Sequence, residues 1–439
     1  MSTSDHLRQR HLRRNTFAIL ADYVGFGIGL IFANMTTTLP AFADQLTDNK
    51  VLIGAISSLW GGGWLLPQLF AAHYLSDKPR KYPIMMTWQL VGRPAFVLFV
   101  LWIALGGTRY ASLTLLLFLL AIIIFRFTDA LVALAYWDLF GKAVPVHRRG
   151  RLFGVGQVLT GLAAVAATPI LQALLGPNGP VFPYNYAAIF GLACVGFAIS
   201  SLGCLLLVEV PEVDGVPAAA PTTSLRAFVP VLASLWRSDS SYRKIALVRV
   251  LSGLGGLAAS FYVVYATDVL RLPPAALGLF AGAATAGSVL AGLVLGPVAD
   301  RFGPQRVVQI VTWAACAAPA IALLCYFGVF GAAVGVAYPL LYLLLGLFEG
   351  SYMLGFNTFI LAIAAPGQRS TYMGLTNTLA GLTIVAPIVG GYLLEQTSYP
   401  VLFAVTIAGT LGAALLALSL PHPSRSRAAA PDPQPTAAP

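Results

Sequence analysis

Apolar residues run along this chain in long unbroken stretches, and the short breaks between them carry most of the charge. A helix needs about 20 apolar residues to cross the roughly 30 Å hydrocarbon core of a bilayer. Twelve runs meet that need, near residues 16–40, 51–74, 82–105, 111–141, 152–175, 184–208, 245–268, 275–299, 306–329, 333–364, 371–395 and 400–419. Strands of a membrane barrel would instead alternate apolar and polar positions over about ten residues. The run from Ala111 to Arg126 has no such alternation. The pattern therefore predicts an all-α membrane protein with twelve transmembrane helices.

Composition agrees and removes the soluble classes. Hydrophobic residues make up 58%, charged residues only 10%, and mean hydropathy is +0.80, which no water-facing surface could accommodate. An even number of spans leaves both termini on one face. With the N-terminus taken as cytoplasmic, 20 of the 26 Lys and Arg fall on that side, and only Lys50, Arg109 and Arg271 fall outside. The positive-inside rule then predicts cytoplasmic termini and a multi-pass protein of the inner or plasma membrane. Dispersal of basic residues over inner loops, where they meet anionic lipid, also accounts for the net charge of +10. No contiguous basic patch for nucleic acid is present.

The two halves repeat. Asp129 and Glu349, Arg149 and Arg369, Gly154 and Gly374, and Gly161 and Gly381 all stand 220 positions apart. Twelve spans and one duplication predict two pseudo-symmetric six-helix bundles, 16–208 and 245–420. A cytoplasmic segment, 1–15, precedes them; its polar character and the length of the next run predict an uncleaved first helix. Residues 209–244 form the loop between bundles, with prolines followed by an amphipathic stretch from Ser224 to Arg237. From 421 to 439 the Pro- and Ala-rich tail has too little apolar surface to fold.

Several chemistries are unsupported. Cys194, Cys204, Cys316 and Cys325 lie inside spans at no metal-ligand spacing, so neither a disulfide, a metal nor a cofactor is expected. Glycine clusters such as Gly25-x-Gly27-x-Gly29 and Gly61-Gly62-Gly63 lack the Lys-Ser/Thr of a phosphate loop and read as helix-packing devices. No nucleophile–His–acid arrangement points to an enzyme.

The loop after the second helix of the second half reads Gly296-Pro-Val-Ala-Asp300-Arg301-Phe-Gly303-Pro-Gln-Arg306. That order of Gly, Asp, Arg, Gly and further base resembles the signature of the major facilitator superfamily, over roughly residues 14–420. The first-half counterpart, Asp77-Lys78-Pro-Arg80-Lys81, keeps acid and base but loses both glycines. The resemblance implies the family's fold of two six-helix halves, and a cytoplasmic gate in which Asp77, Lys78, Arg80, Gly296, Asp300, Arg301, Gly303 and Arg306 hold the halves together in one state. Helix four, with Arg126-Phe-Thr-Asp129-Ala130, partly resembles drug–proton antiporters, which carry Arg, then Gln and Gly. Helix eleven carries Ala386-Pro387-Ile-Val-Gly390-Gly391, similar to an antiporter motif that the family places in helix five.

Charges inside spans are the remaining signal, because each costs at least about 2.5–3.5 kcal/mol at the bilayer centre and is tolerated facing a cavity or a partner. Asp22, Arg93, Arg126, Asp129, Arg249 and Glu349 are such residues, with Asp138 near the inner end of helix four. The resemblance implies a central cavity built from helices one, four, seven and ten, which carry all of these except Arg93. Asp22, Asn34, Arg126, Asp129, Arg249, Glu349 and Asn357 are thus the expected substrate and proton cavity, with Asn377 ranked lower and Tyr23, Tyr136, Tyr265 and Phe356 as walls. Asp22 and Arg249 are expected to pair across the halves in the outward-open state. Three residues apart on one helix, Arg126 and Asp129 share a face, so Arg126 favours an ionised Asp129. Glu349 has no Arg on its own turn and is the better proton carrier. The expectation is a secondary active transporter of a small organic solute by alternating access, a monomer in the lipid bilayer with the proton as coupling ion. Efflux of a hydrophobic or cationic compound comes first. Uptake of a sugar, nucleoside or organic anion is the alternative, and a transport-inactive sensor or assembly factor on the same fold the second.

Overall fold

A computed structural model describes residues 3–67, 74–75, 80–144, 146–209, 236–237, 239–364 and 369–422. Every regular element among them is helical. In the first half the helices run Thr3–Phe32 (helix one), Lys50–Leu65 (two), Tyr82–Ala104 (three), Ala111–Ala143 (four), Val146–Leu175 (five) and Tyr184–Leu206 (six). A short helix, Thr38–Asp44, continues helix one. In the second half helix seven is segmented as Ser240–Gly253, Gly256–Ala259 and Phe261–Asp268. Helix eight runs Ala276–Leu290 and, after a π-turn at Ala291–Leu295, Gly296–Phe302. Helix nine is Pro304–Tyr326; helix ten is Val334–Gly350 and, after a π-turn at Met353–Asn357, Thr358–Ile363. Helix eleven, Arg369–Gly381 and Ala386–Gln396, is joined by a 3-10 turn, and helix twelve is Tyr399–Ala417.

Among the described residues eleven helical stretches are long and apolar enough to cross a membrane, and helix two, described over 16 residues, occupies the place of the remaining predicted span. The predicted pattern is thereby met, with one difference at the start. Helix one begins at Thr3, so most of the segment 1–15 is helical, while its apolar stretch starts at Gln9. Caps set other boundaries: Asn49 accepts from the Leu52 amide and Asp239 from the Tyr242 amide, each satisfying an orphan helix donor. Most of 209–244, with its amphipathic stretch, and residues 423–439 lie outside the described residues.

Helices one and six meet at small residues, where Gly25 packs on the Ser200 backbone and Gly29 on the Phe197 ring. Aromatic cores sit toward the end away from the termini. Phe42, Phe99, Phe118 and Phe190 interlock in the first half, and Tyr262, Tyr265, Tyr399 and Phe403 in the second.

Between the halves, the contacts also gather at that end. Ser260 Oγ of helix seven donates to Ser57 Oγ of helix two at 2.7 Å, and Lys50 holds Asp44 of its own half at 2.9 Å and Asp268 of the other at 3.7 Å. The Val51 amide donates to Glu395 of helix eleven at 3.3 Å. Gly54 and Gly391 permit this closeness: a Cβ on either would collide with a backbone carbonyl across the seam, that of Pro387 or of Lys50. A Gly54→Leu variant is therefore expected to hold this seam open. A cysteine placed at Ser57 should then react severalfold faster with a membrane-impermeant thiol reagent added on that side; unchanged reactivity would count against a glycine-sealed seam.

Candidate functional site

On the terminus side of that seam lies a cavity of about 430 Å³, lined entirely by the first half. Helix one supplies Asp22, Tyr23 and Phe26, helix two Trp64, helix three Arg93, helix four Arg126, Asp129, Tyr136 and Trp137, and helix five Thr160. Two carboxylates and two guanidinium groups thus share one chamber with an aromatic wall. Periodicity explains the placement on helix four, where 126, 129, 133 and 136 fall on one face.

Each charge is held. Arg126 donates from Nη1 to Asp129 Oδ2 at 3.1 Å and from Nε to the Trp60 carbonyl at 2.8 Å, and its guanidinium lies 4.8 Å from the Trp60 ring centre. The intrahelical pair expected from the i,i+3 spacing is formed. Asp22 accepts from Ser200 Oγ at 2.6 Å and from the Cys204 thiol at 3.3 Å. Arg93 donates to the same Ser200 hydroxyl at 3.2 Å and to the Phe197 carbonyl at 3.4 Å, flanked by the rings of Phe26, Phe125 and Phe197. Helix six therefore fixes the polar groups of helices one and three from behind. Tyr136 Oη and Thr160 Oγ1 are buried in the lining without hydrogen-bond partners, leaving two hydroxyls able to serve a guest.

Not every expected residue belongs here. Asn34 is a structural residue: its Oδ1 accepts from the Thr36 amide and hydroxyl and from the Thr37 amide, folding the turn that follows helix one. Asp138 pairs with Lys142 at 2.7 Å. Tyr265 is fully buried in the second-half core rather than forming a wall. Asp22 and Arg249 are apart in this conformation, Asp22 on Ser200 and Arg249 against the rings of Tyr352 and Phe356 at 4.3 and 5.3 Å. Asn357 is buried at the end of the helix-ten π-turn, and Asn377 accepts from the Tyr352 hydroxyl at 3.1 Å. Glu349 lies outside the cavity lining. It is exposed, with no side-chain hydrogen bond or ion pair among the described residues.

Sequence reasoning missed Arg93, whose helix was not expected to reach the chamber; its own unusual charge inside a span was the signal. Ser200, Cys204 and Gln89 were missed too. Cys204, expected as inert packing, accepts from Gln89 Nε2 at 3.3 Å and donates to Asp22.

At the terminus end the described motif residues make no contact across the seam with other described residues. Asp300 and Arg301 are exposed, without an ion pair among the described residues, and Arg306 donates to Gln309 in its own helix at 3.0 Å. Gly303 has φ +85°, which lets the chain turn from helix eight into helix nine, whereas Gly296 has open space where a Cβ would stand. Asp77 and Lys78 lie outside the described residues, and Arg80 is exposed. In the first half Glu209, just past helix six, accepts from the Lys81 and Tyr82 amides at 2.9 and 3.3 Å, capping helix three.

Residues 245–438 match the profile of the Major Facilitator Superfamily. No curated protein matches the chain by sequence. Among solved structures, the nucleoside transporter NupG superposes with a TM-score of 0.69 at 14% identity, over 92% of this chain and 99% of that one. A D-xylose–proton symporter gives 0.67 at 14% identity, over 94% and 98%. A bacterial homologue of the iron transporter ferroportin in its inward-facing state gives 0.66 at 17% identity, over 93% and 99%.

Proposed function

We propose, from the family match of the second half and the fold of the whole, that the chain is a transporter of the Major Facilitator Superfamily that exports a small organic solute by alternating access, driven by protons moving the other way. The observation that carries this reading is the chamber itself. Four charged side chains and an aromatic wall surround a solute-sized space beside a seam whose polar contacts, among the described residues, gather at one end. With the termini in the cytoplasm, as the basic loops favour, that chamber belongs to the inward-facing state. Rocking the halves about the cavity would break the Ser57–Ser260, Lys50–Asp268 and Val51–Glu395 contacts and bring the terminus-side loops together.

Within this scheme Arg126, Asp129, Asp22 and Arg93 position the solute, and Glu349 exchanges the proton. The chamber's two acids and two bases balance, so its charge alone gives no preference for a cation. Aromatic faces at Tyr23, Phe26, Trp64 and Trp137 favour a solute with a flat apolar body. A monomer suffices, because one chain supplies the whole chamber.

The test is a substrate-dependent pH change in vesicles of known orientation. Export against protons predicts interior acidification when solute leaves the lumen of right-side-out vesicles. A change of opposite sign would support coupled uptake, and none with transported solute would remove proton coupling.

A further inference from the structure

Each charge in the chamber is tied on one side only. Asp22 accepts through Oδ1, from Ser200 and Cys204, and Asp129 through Oδ2, from Arg126. Arg126 donates through Nε and Nη1, to the Trp60 carbonyl and to Asp129. Arg93 donates through Nη1 and Nη2, to the Phe197 carbonyl and to Ser200. Asp22 Oδ2, Asp129 Oδ1, Arg126 Nη2 and Arg93 Nε are left without a hydrogen bond among the described residues. Unlike Tyr136 Oη and Thr160 Oγ1, none of these four atoms is sealed in by protein. Acceptors and donors of both signs therefore remain for a guest of one cavity.

The tied sides hold the free ones in place. Ser200 Oγ donates to Asp22 at 2.6 Å and accepts from Arg93 at 3.2 Å, fixing one acid beside one base, as the i,i+3 spacing does for Asp129 and Arg126. A cation or an anion entering such a balanced chamber leaves one charge unpaired, and an unpaired buried charge is the costly case. A neutral guest leaves the free edges of both signs without partners once water is displaced. A solute with one ammonium and one acid group adds no net charge and gives each edge a charged partner. We infer that the transported solute is a zwitterion, an amino acid with a flat apolar body, its ammonium on the free oxygens of Asp22 and Asp129 and its acid group on the free nitrogens of Arg93 and Arg126. Its ring lies against Phe26, Trp64 and Trp137, which line the same chamber. This deepens the transport reading by naming the chemical class of its solute, and rests on it.

The experiment compares ligands that share one ring and differ in charge. Thermal unfolding of the purified full-length protein in a non-ionic detergent is followed with phenylalanine and 4-(aminomethyl)benzoate, which carry both charges, and with phenethylamine, 3-phenylpropionate and 2-phenylethanol. At least one of the zwitterions should raise the unfolding midpoint saturably, at a concentration about tenfold or more below that needed for any other compound, since each lacks a charged contact worth that factor. Asp22→Asn gives the chamber a net positive charge, so it should weaken the zwitterion and make 3-phenylpropionate bind better than phenethylamine. Arg93→Gln should produce the opposite order. A purely structural role for these residues would weaken all compounds alike and invert nothing. Where either variant does not fold, carbodiimide labelling at Asp22 and phenylglyoxal labelling at Arg93 in the wild type, read by mass spectrometry, should both be slowed by the stabilising zwitterion.

No response to either zwitterion, an equal response to a singly charged or neutral compound, or an order that does not invert between the variants would overturn the assignment. So would stabilisation by dihexanoylphosphatidylcholine alone, which would mark a lipid headgroup site. Zwitterion binding that shows the inversion in a protein that moves no solute in vesicles would remove the transport reading and leave the zwitterion site standing.

Discussion

Glu349→Gln is expected to abolish proton movement in vesicles while leaving membrane insertion and the unfolding midpoint near those of the wild type. On the proposed proton-driven reading, three acids within spans are candidates for the proton carrier, and their surroundings separate them. Asp129 is tied to Arg126 at 3.1 Å. Asp22 accepts from Ser200 and Cys204 and shares that serine with Arg93. Glu349 alone of the three has no side-chain partner among the described residues, so it can gain or lose a proton without breaking a structural contact. Glutamine keeps its size and removes its charge. Solute exchange that needs no net proton movement should persist in the variant, whereas concentrative export should fall to background. Normal proton coupling in Glu349→Gln would move the search to Asp22.

The second large effect is expected at the pair on helix four. Asp129→Asn leaves the buried Arg126 guanidinium without its counter-charge, and breaking a buried pair from one side costs about 3–5 kcal/mol. The unfolding midpoint in detergent should drop, and solute binding should be lost. Adding Arg126→Gln to Asp129→Asn removes the orphan charge, so much of the stability should return, although the link from Arg126 Nε to the Trp60 carbonyl is not replaced. Transport should not return, because the chamber has lost both charges. A double variant no more stable than Asp129→Asn would show that the pair contributes through the Trp60 contact rather than through charge. An Asp129→Asn variant with wild-type stability and transport would remove the pair from the mechanism altogether.

How much of this was legible in the chain differs by residue. Helix four and its Arg126–Asp129 pair were readable because both the apolar run and the i,i+3 spacing are local, and a helix turns local spacing into contact. The repeat, too, is a property of the string, and it placed an acid at Glu349 opposite Asp129 before any coordinates were known. Asn34 was misread because a polar residue near the end of a span looks the same whether it faces a cavity or folds the next turn. Only the positions of the Thr36 and Thr37 donors distinguish the two. Arg93 and Cys204 went unassigned to the chamber for the opposite reason: their partners are about a hundred residues away on other helices.

Sequence by itself determined that the chain is a twelve-helix membrane protein in two related halves, since lipid demands long apolar helices and duplication leaves a fixed spacing. It also determined which few charges the bilayer must tolerate. Tertiary structure alone decided which of those charges neutralise one another, which stand apart, and at which end the halves close. Those outcomes depend on contacts between distant helices, and no spacing along a single helix encodes them.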